Sequence, residues 1–137
     1  MRALGAVELA RKHLPDYESK VRPLRDLLEE GILSSIPDTE LNAHKTHRLA
    51  NTANITFRGI ESEALLILLD KEGVSASSGS ACLAESDEPS HVIKAMKPDS
   101  RASQEMIRFS LDTHTPTEQT QTAVSVVSNL ARTLREQ

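Results

Sequence analysis

The single cysteine of the chain, Cys82, is the side chain whose type and surroundings point most directly to chemistry. One cysteine excludes an internal disulfide and a multi-cysteine metal site, so the thiol would act on its own. Free cysteines are usually buried among apolar residues, whereas Cys82 follows the small, polar run Ser77-Ser78-Gly79-Ser80-Ala81. Such a run gives a thiol exposure and a path to its target. The local sequence leaves both a reactive thiol and an inert buried one open.

A second candidate is Arg108, which lies within the alternating stretch 105–111. In a strand, Ile107 and Phe109 would face the core and Arg108 would project from the other face. If that face is covered, the guanidinium needs an anion there, and its planar fork suits a carboxylate. The alternative is a solvated or salt-bridged surface arginine, which the residues alone favour.

Histidines offer a weaker signal for chemistry. His44 and His47 are spaced by three residues, but no cysteine or carboxylate cluster accompanies them. We therefore interpret them as surface histidines rather than zinc ligands, and His91 and His114 likewise. No metal site is predicted.

Composition limits the classes of protein that the chain can represent. A length of 137 residues fits one domain. The net charge is −4 and no lysine or arginine cluster occurs, which argues against a nucleic-acid partner. The longest apolar run, 64–69, is too short to span a bilayer, and residues 1–14 lack the apolar centre of a secretory signal. We expect a soluble protein located in the cytoplasm, with no membrane partner.

The positioning elements are predicted from hydrophobic periodicity and from start and stop residues. Pro15 should end a first helix, Gly31 should lie just past a second, and Pro23 should either kink that second helix or open its second half. For the last helix, Thr115 is the expected cap, Pro116 the first residue, and Glu118 the partner in a capping box. The predicted helices are 1–14, 17–30, 60–72, 89–96 and 115–136.

Alternating patterns predict strands at 39–42, 51–57 and 105–111, and a short extended segment at 74–76. Residues 77–90 lack a burial pattern, so we expect an exposed, mobile loop that carries Cys82. One sheet with helices to cover it, without strict alternation of strands and helices, indicates a two-layer α+β domain.

Several motifs resemble one known family. The run from Ser77 to Cys82, then Glu88-Pro89-Ser90-His91-Val92, then Ile107-Arg108-Phe109-Ser110-Leu111, is similar to the C-terminal segment of cysteine desulfurases of the NifS/IscS kind. Residues 51–57 and 59–65 also resemble that family in wording, order and spacing. The resemblance extends over essentially the whole chain and is most specific in the serine-rich run before the cysteine.

The resemblance implies an activity and a cofactor. Family members are fold-type I homodimers of the class V aminotransferase group that use pyridoxal 5'-phosphate to convert L-cysteine to L-alanine. Sulfur is held as a persulfide on a loop cysteine and passed to acceptor proteins for iron–sulfur clusters and thio-cofactors. The matching nucleophile is Cys82, and the matching residue for the substrate carboxylate is Arg108. The cofactor acts as an electron sink in this chemistry.

The resemblance covers only the part of the family that follows its large domain. Residues 1–137 would be the C-terminal small domain, in which helices cover a mainly antiparallel sheet. This domain would have a helical lead-in at 1–31, a sheet-and-helix body at 32–137 and the mobile cysteine loop at 77–90. The cofactor lysine belongs to the large domain, so we expect no pyridoxal phosphate bound to this chain and no turnover by it alone. Ala43-His44-Lys45 resembles the family's His-Lys cofactor motif, but we interpret Lys45 as an exposed loop lysine.

Two alternatives to a cysteine desulfurase domain remain. The chain could be a non-catalytic persulfide carrier or scaffold-binding module that kept the loop. It could also belong to a class V enzyme of the selenocysteine lyase type.

Overall fold

A computed structural model describes residues 2–79, 90–98 and 101–136 of the chain. Two elements are single turns: a π-helical turn at Tyr17–Val21 and a 3₁₀ turn at Arg101–Ser103. The helices are α1 (Arg2–Asp16), α2 (Arg22–Ser35), α3 (Ser62–Lys71), α4 (His91–Met96) and α5 (Thr117–Arg135), and the strands are β1 (Thr39–Leu41), β2 (Thr52–Phe57) and β3 (Met106–Ser110).

The three strands form one antiparallel sheet in the order β1-β2-β3. The register places Ala53 opposite Phe109 and Asn54 opposite Arg108. The expected extended segment at 74–76 forms no strand, and an isolated bridge from Ser77 to Arg108 occupies the outer edge of β3 instead. Helices α2, α3 and α5 cover one face of this sheet, so the expected α+β class is confirmed.

The main core lies between that sheet face and the three helices. Alternation along β2 and β3 directs apolar side chains to this face, and α5 contributes Val127 and Ala131. A smaller apolar cluster on the opposite face joins α4 and the 3₁₀ turn to Met106. Fully or nearly enclosed members of the main core include Ala53, Ile55, Phe57, Leu65, Leu69, Ile107, Phe109, Leu28 and Ile32.

Neither Pro15 nor Pro23 breaks the helical path, although Pro15 was expected to end the first helix. Pro15 instead lies inside α1. A proline removes a single N–H donor from the ladder, and the chain stays helical by widening into the π-helical turn, where the N–H of Arg22 donates to the carbonyl of Tyr17. Pro23 lies in the first turn of α2, which agrees with the second of its two alternatives.

Gly31 lies inside α2 and does not follow its end, so that prediction was wrong. A Cβ atom built on Gly31 would lie 2.8 Å from both methyl carbons of Val124 in α5. The glycine therefore allows close approach of two helices, a role that local sequence does not distinguish from a helix stop.

Substituting Gly31 by alanine should therefore destabilise the fold, although alanine is the better helix former. We expect Gly31→Ala to lower the free energy of unfolding by about 1–3 kcal/mol because the new methyl group overlaps Val124. Gly5→Ala is the matched control, since a Cβ at Gly5 meets nothing within 4 Å and alanine favours a helix. Urea denaturation of both variants measures the difference, and equal effects would contradict the close-approach argument.

The start of α5 also departs from the expected capping box. The helix begins at Thr117, and Pro116 precedes it without a side-chain hydrogen bond. The hydroxyl of Thr115 instead accepts from the backbone N–H of Asp112 at 3.1 Å. The carboxylate of Asp112 accepts from the N–H of His114, which holds the pKa of Asp112 below its ordinary value. The hydroxyl of Thr115, which the capping-box motif assigned to the start of α5, thus stabilises the turn at Asp112 that precedes the helix.

Within the described part of the chain, no helix combines the length and apolar character needed to cross a membrane.

Candidate functional site

Arg108 lies on the sheet face opposite the main core and is partly buried, as the alternation of β3 predicted. Its backbone N–H donates to the carbonyl of Ser77 at 2.6 Å, and the N–H of Ser77 donates back at 3.0 Å. The guanidinium reaches the same segment: Nη1 lies 3.4 Å from the carbonyl oxygen of Gly79 and Nη2 lies 3.5 Å from Ser77 Oγ. The segment that leads to Cys82 therefore begins at this arginine.

The charge of Arg108 is not neutralised by a carboxylate of the described residues. Both of its side-chain contacts are long and involve neutral oxygens. A partly buried guanidinium in this state can bind an anion without first breaking an ion pair. These contacts of Arg108 with neutral oxygens differ from the salt bridge that the residues alone favoured.

Cys82 itself, with most of the 77–90 loop, lies outside the described residues. Both ends of this segment are described. Gly79 has φ +97°, and a Cβ there would lie 3.2 Å from Met106 Sδ and 3.3 Å from Ser90 Oγ. Ser90 in turn caps α4 by accepting from the N–H of Ile93. The chain thus leaves and re-enters the described structure at one place beside β3.

A polar network that sequence analysis missed occupies the same sheet face as Arg108. The Nδ2 of Asn42 donates to Asn54 Oδ1 at 2.9 Å and to Thr56 Oγ1 at 2.7 Å. The ammonium of Lys97 donates to Asn42 Oδ1 at 2.7 Å. The alternation of β2 places Asn54 and Thr56 away from the apolar face, so this pattern was the signal that could have identified them.

Glu40 anchors the far end of this network. Its carboxylate pairs with Lys97 at 2.6 Å and with Arg58 at 2.6 Å. The hydrogen bond from Lys97, assisted by Arg58, holds the pKa of Glu40 below its ordinary value of 4.5, against the opposing effect of burial.

The lowered pKa of Glu40 predicts an acid-dependent contribution to stability. Because the folded-state pKa is the lower one, the contribution is present above pH 4.5 and is lost as pH falls through the folded-state value. The side chain is 41% exposed, so we expect only about 0.5–1 kcal/mol at neutral pH. The unfolding free energies of the wild type and of Glu40→Gln should differ at neutral pH and converge once the pH falls below the folded-state pKa of Glu40. A difference that stays constant with pH would contradict this role.

Lys45 and the nearby histidines form an exposed turn. His44 Nδ1 accepts from the backbone N–H groups of Thr46 at 3.1 Å and His47 at 3.0 Å. His44 thus stabilises the turn through its ring nitrogen, and the side chain of Lys45 is exposed. The described residues contain no group of three potential metal ligands.

A buried ion pair holds the segment before β2 against α2. Arg48 pairs with Glu29, and their side chains are only 7% and 8% exposed. Arg48 Nη2 also donates to the carbonyl of Thr52 at 2.7 Å, which fixes the start of β2. Arg25, also in α2, donates to the carbonyl of Leu49 at 2.7 Å. These contacts position the strand that carries Asn54.

The described residues do not fit pyridoxal phosphate as a set. The cofactor requires a lysine for its aldehyde and groups that hold its ring and phosphate. The ammonium of Lys97 on this face already contacts Glu40 and Asn42. The ring of Phe109, on the same strand as Arg108, is buried in the main core. What the described face offers is an arginine with no carboxylate partner among the described residues, so any cofactor site would need residues beyond these.

Comparisons with known proteins place the chain in a family. The family model described as aminotransferase class-V matches residues 5–122. Cysteine desulfurase 2 of Trichormus variabilis is 53% identical over 116 residues, which are 84% of this chain and 29% of the relative. Cysteine desulfurase NifS of Azotobacter vinelandii is 42% identical over 130 residues, 95% of this chain and 32% of the relative.

Solved structures support the fold. A NifS-like protein superposes with a TM-score of 0.78 over 93% of this chain and 32% of its own, at 23% identity. A NifS-like protein from Rickettsia africae gives a TM-score of 0.71 at 22% identity over 94% of this chain and 32% of its own. The chain thus spans about a third of the length of these proteins. Because the family model matches most of its residues, the chain belongs to the aminotransferase class-V family.

Proposed function

We propose that this chain is the C-terminal small domain of a cytoplasmic cysteine desulfurase, in which Arg108 binds the substrate carboxylate and Cys82 accepts its sulfur. The contact between the Arg108 guanidinium and Gly79, at the start of the cysteine segment, is the observation that carries the proposal. The relatives named cysteine desulfurase support the reaction class.

Chain geometry supports a joint role for these two residues. Cys82 follows Gly79 by three residues, and an extended chain advances at most about 3.6 Å per residue, so the two Cα atoms lie within about 11 Å of each other. The carbonyl of Gly79 lies 3.4 Å from the guanidinium. In cysteine, few bonds separate the carboxylate from the sulfur. A thiol tethered at this distance can therefore reach the sulfur of a cysteine whose carboxylate Arg108 holds.

The proposed reaction balances without an external oxidant. The Cys82 thiolate attacks the substrate sulfur, an S–S bond forms and the substrate C–S bond breaks. The electron pair of that C–S bond stays with the carbon skeleton, which gains a proton and leaves as L-alanine, while Cys82 carries the persulfide. Pyridoxal phosphate, held by the remainder of the full-length enzyme, supplies the electron sink. Arg108 contributes orientation, because a bidentate grip fixes the substrate relative to the attacking thiol.

The proposal implies partners for the full-length enzyme. A persulfide must leave the site on its loop to reach a sulfur-acceptor or iron–sulfur scaffold protein. Gly79 and Ser90, which flank this segment, lie close together and are separated by ten residues. This arrangement suits such a loop. We further propose that the full-length enzyme is a homodimer and that this chain alone turns over no cysteine.

A hybrid enzyme tests the proposal. The chain replaces the matching segment of Trichormus variabilis cysteine desulfurase 2, the relative that is 53% identical; this hybrid is used in all activity tests below. We expect the hybrid to form L-alanine from L-cysteine, and the 137-residue chain alone to form none. The unaltered relative is the positive control. A hybrid that folds and binds pyridoxal phosphate but forms no alanine would contradict the proposed function.

A further inference from the structure

Asn54 is the cross-strand neighbour of Arg108 on the candidate-site face. The backbone N–H and carbonyl of Arg108 both pair outward with Ser77, so Asn54 and Arg108 form a non-hydrogen-bonded pair of the antiparallel ladder. Side chains in such pairs are close, with Cβ atoms about 4.5–5.5 Å apart. Asn54 is only partly buried, so its amide can contact a ligand held by Arg108.

The hydrogen-bond network determines which branch of the Asn54 amide is the oxygen and which is the NH₂ group. Lys97 can only donate, so the atom of Asn42 that it contacts at 2.7 Å must be the oxygen. The other branch of the Asn42 amide is then its NH₂ group, which can only donate. The Asn54 atom that faces it at 2.9 Å must therefore be Oδ1.

This orientation turns the NH₂ group of Asn54 towards β3. Asn42 follows β1, and β1 and β3 flank β2 on opposite sides. With Oδ1 directed to the β1 side, Nδ2 lies on the Arg108 side of the strand. Among the described residues, Asn54 Nδ2 has no hydrogen-bond partner, and it is not an enclosed atom.

We propose that Asn54 Nδ2 is a second donor to the substrate carboxylate beside Arg108, and that Asn42 is a positioning residue that keeps this donor directed into the site. The inference rests on the proposed function and deepens it. A carboxylate has about four lone-pair sites, and a bidentate guanidinium fills only two of them, so a further donor can be accommodated. The neutral amide of Asn54 adds a hydrogen bond without a second charge. The contact of Lys97 with Asn42 Oδ1 keeps the amides of Asn42 and Asn54 from flipping.

Three variants of the hybrid test the proposal. Asn54→Ala removes the donor, and we expect KM for L-cysteine to rise about tenfold with kcat changed by less than about threefold. Asn54→Asp places a negative charge beside the carboxylate and should raise KM about 100-fold. Asn42→Asp can only accept, so it should draw the NH₂ group of Asn54 towards itself and raise KM as much as Asn54→Ala does, although residue 42 does not touch the substrate.

A matched control and a binding measurement separate the possible outcomes. Thr52→Ala lies on the same strand and face, opposite Ser110, and should leave KM unchanged. In NMR spectra of the 137-residue chain, the Asn54 NH₂ resonances should shift on titration with L-alanine but not with ethylamine, which lacks the carboxylate. Unchanged KM in Asn54→Ala, with a large loss in Arg108→Ala, would overturn this inference and leave the proposed function standing. If Arg108→Ala also leaves L-cysteine turnover unchanged, the proposed function fails too.

Discussion

Replacing Arg108 by alanine should lower kcat/KM of the hybrid enzyme for L-cysteine by about 100- to 1000-fold, because the proposed charge-assisted bidentate contact to the substrate carboxylate would be lost. The guanidinium makes only two long contacts to neutral oxygens in the described structure, so the substitution should cost the fold little. Steady-state formation of alanine measures the loss, and thermal unfolding checks the stability.

Arg108→Lys distinguishes the fork of the guanidinium from its charge. Lysine keeps the positive charge but cannot hold a carboxylate through two parallel N–H groups. We expect an intermediate loss, about tenfold to 100-fold in kcat/KM. Arg58→Lys is a suitable control, because Arg58 is an exposed arginine paired with Glu40. An Arg108→Ala hybrid as active as wild type would contradict the assignment of Arg108.

Replacing Cys82 by serine should produce a different kind of loss. We expect alanine formation from L-cysteine to fall about 1000-fold or more, because a serine hydroxyl is a far weaker nucleophile than a thiolate. Affinity for the product L-alanine should stay unchanged, since we propose that Arg108 and not Cys82 binds its carboxylate. Arg108→Ala should differ from this variant, because its affinity for L-alanine should be weakened as well.

Controls for Cys82 come from the same segment. Ser80→Ala keeps the thiol and should retain activity within about threefold, since it removes no reacting group. Loss of L-cysteine turnover with retained turnover of L-selenocysteine in Cys82→Ala would favour the selenocysteine lyase alternative. Full L-cysteine turnover in Cys82→Ser would exclude the proposed role of the thiol.

Much of the architecture follows from patterns that are local in sequence. The alternation in β2 and β3 predicted both strands and the outward position of Arg108, because a strand has only two faces. The apolar stripe of α5 likewise predicted a helix packed on the sheet. Family membership, too, follows from motifs that lie close together along the chain.

One error arose where a residue's role depends on a distant partner. Gly31 resembles a helix stop, but it is explained by Val124, a residue of another helix. The predictions for Pro15 and Thr115 were wrong for a local reason, since a π-helical turn and a turn at Asp112 satisfy the backbone in other ways. Local start and stop residues predict helix ends only when no neighbouring turn and no other helix provides a competing contact.

The candidate site shows the same division. Arg108 was identified from alternation and resemblance, whereas the orientation of Asn54 depends on Asn42 and on Lys97. Residues 42 and 97 are separated by 55 residues, and a single sequence does not record that they meet. Networks of this kind require the fold before they can be seen.

The most direct test of the central claim is mass spectrometry of the peptide that carries Cys82, isolated from the hybrid enzyme after a single turnover of L-cysteine. We expect this peptide to be heavier by one sulfur atom, to lose that mass on treatment with a reducing thiol, and to stay unmodified in Arg108→Ala under the same conditions. Alanine formed in amounts equal to the enzyme while the Cys82 peptide remains unmodified would contradict the account.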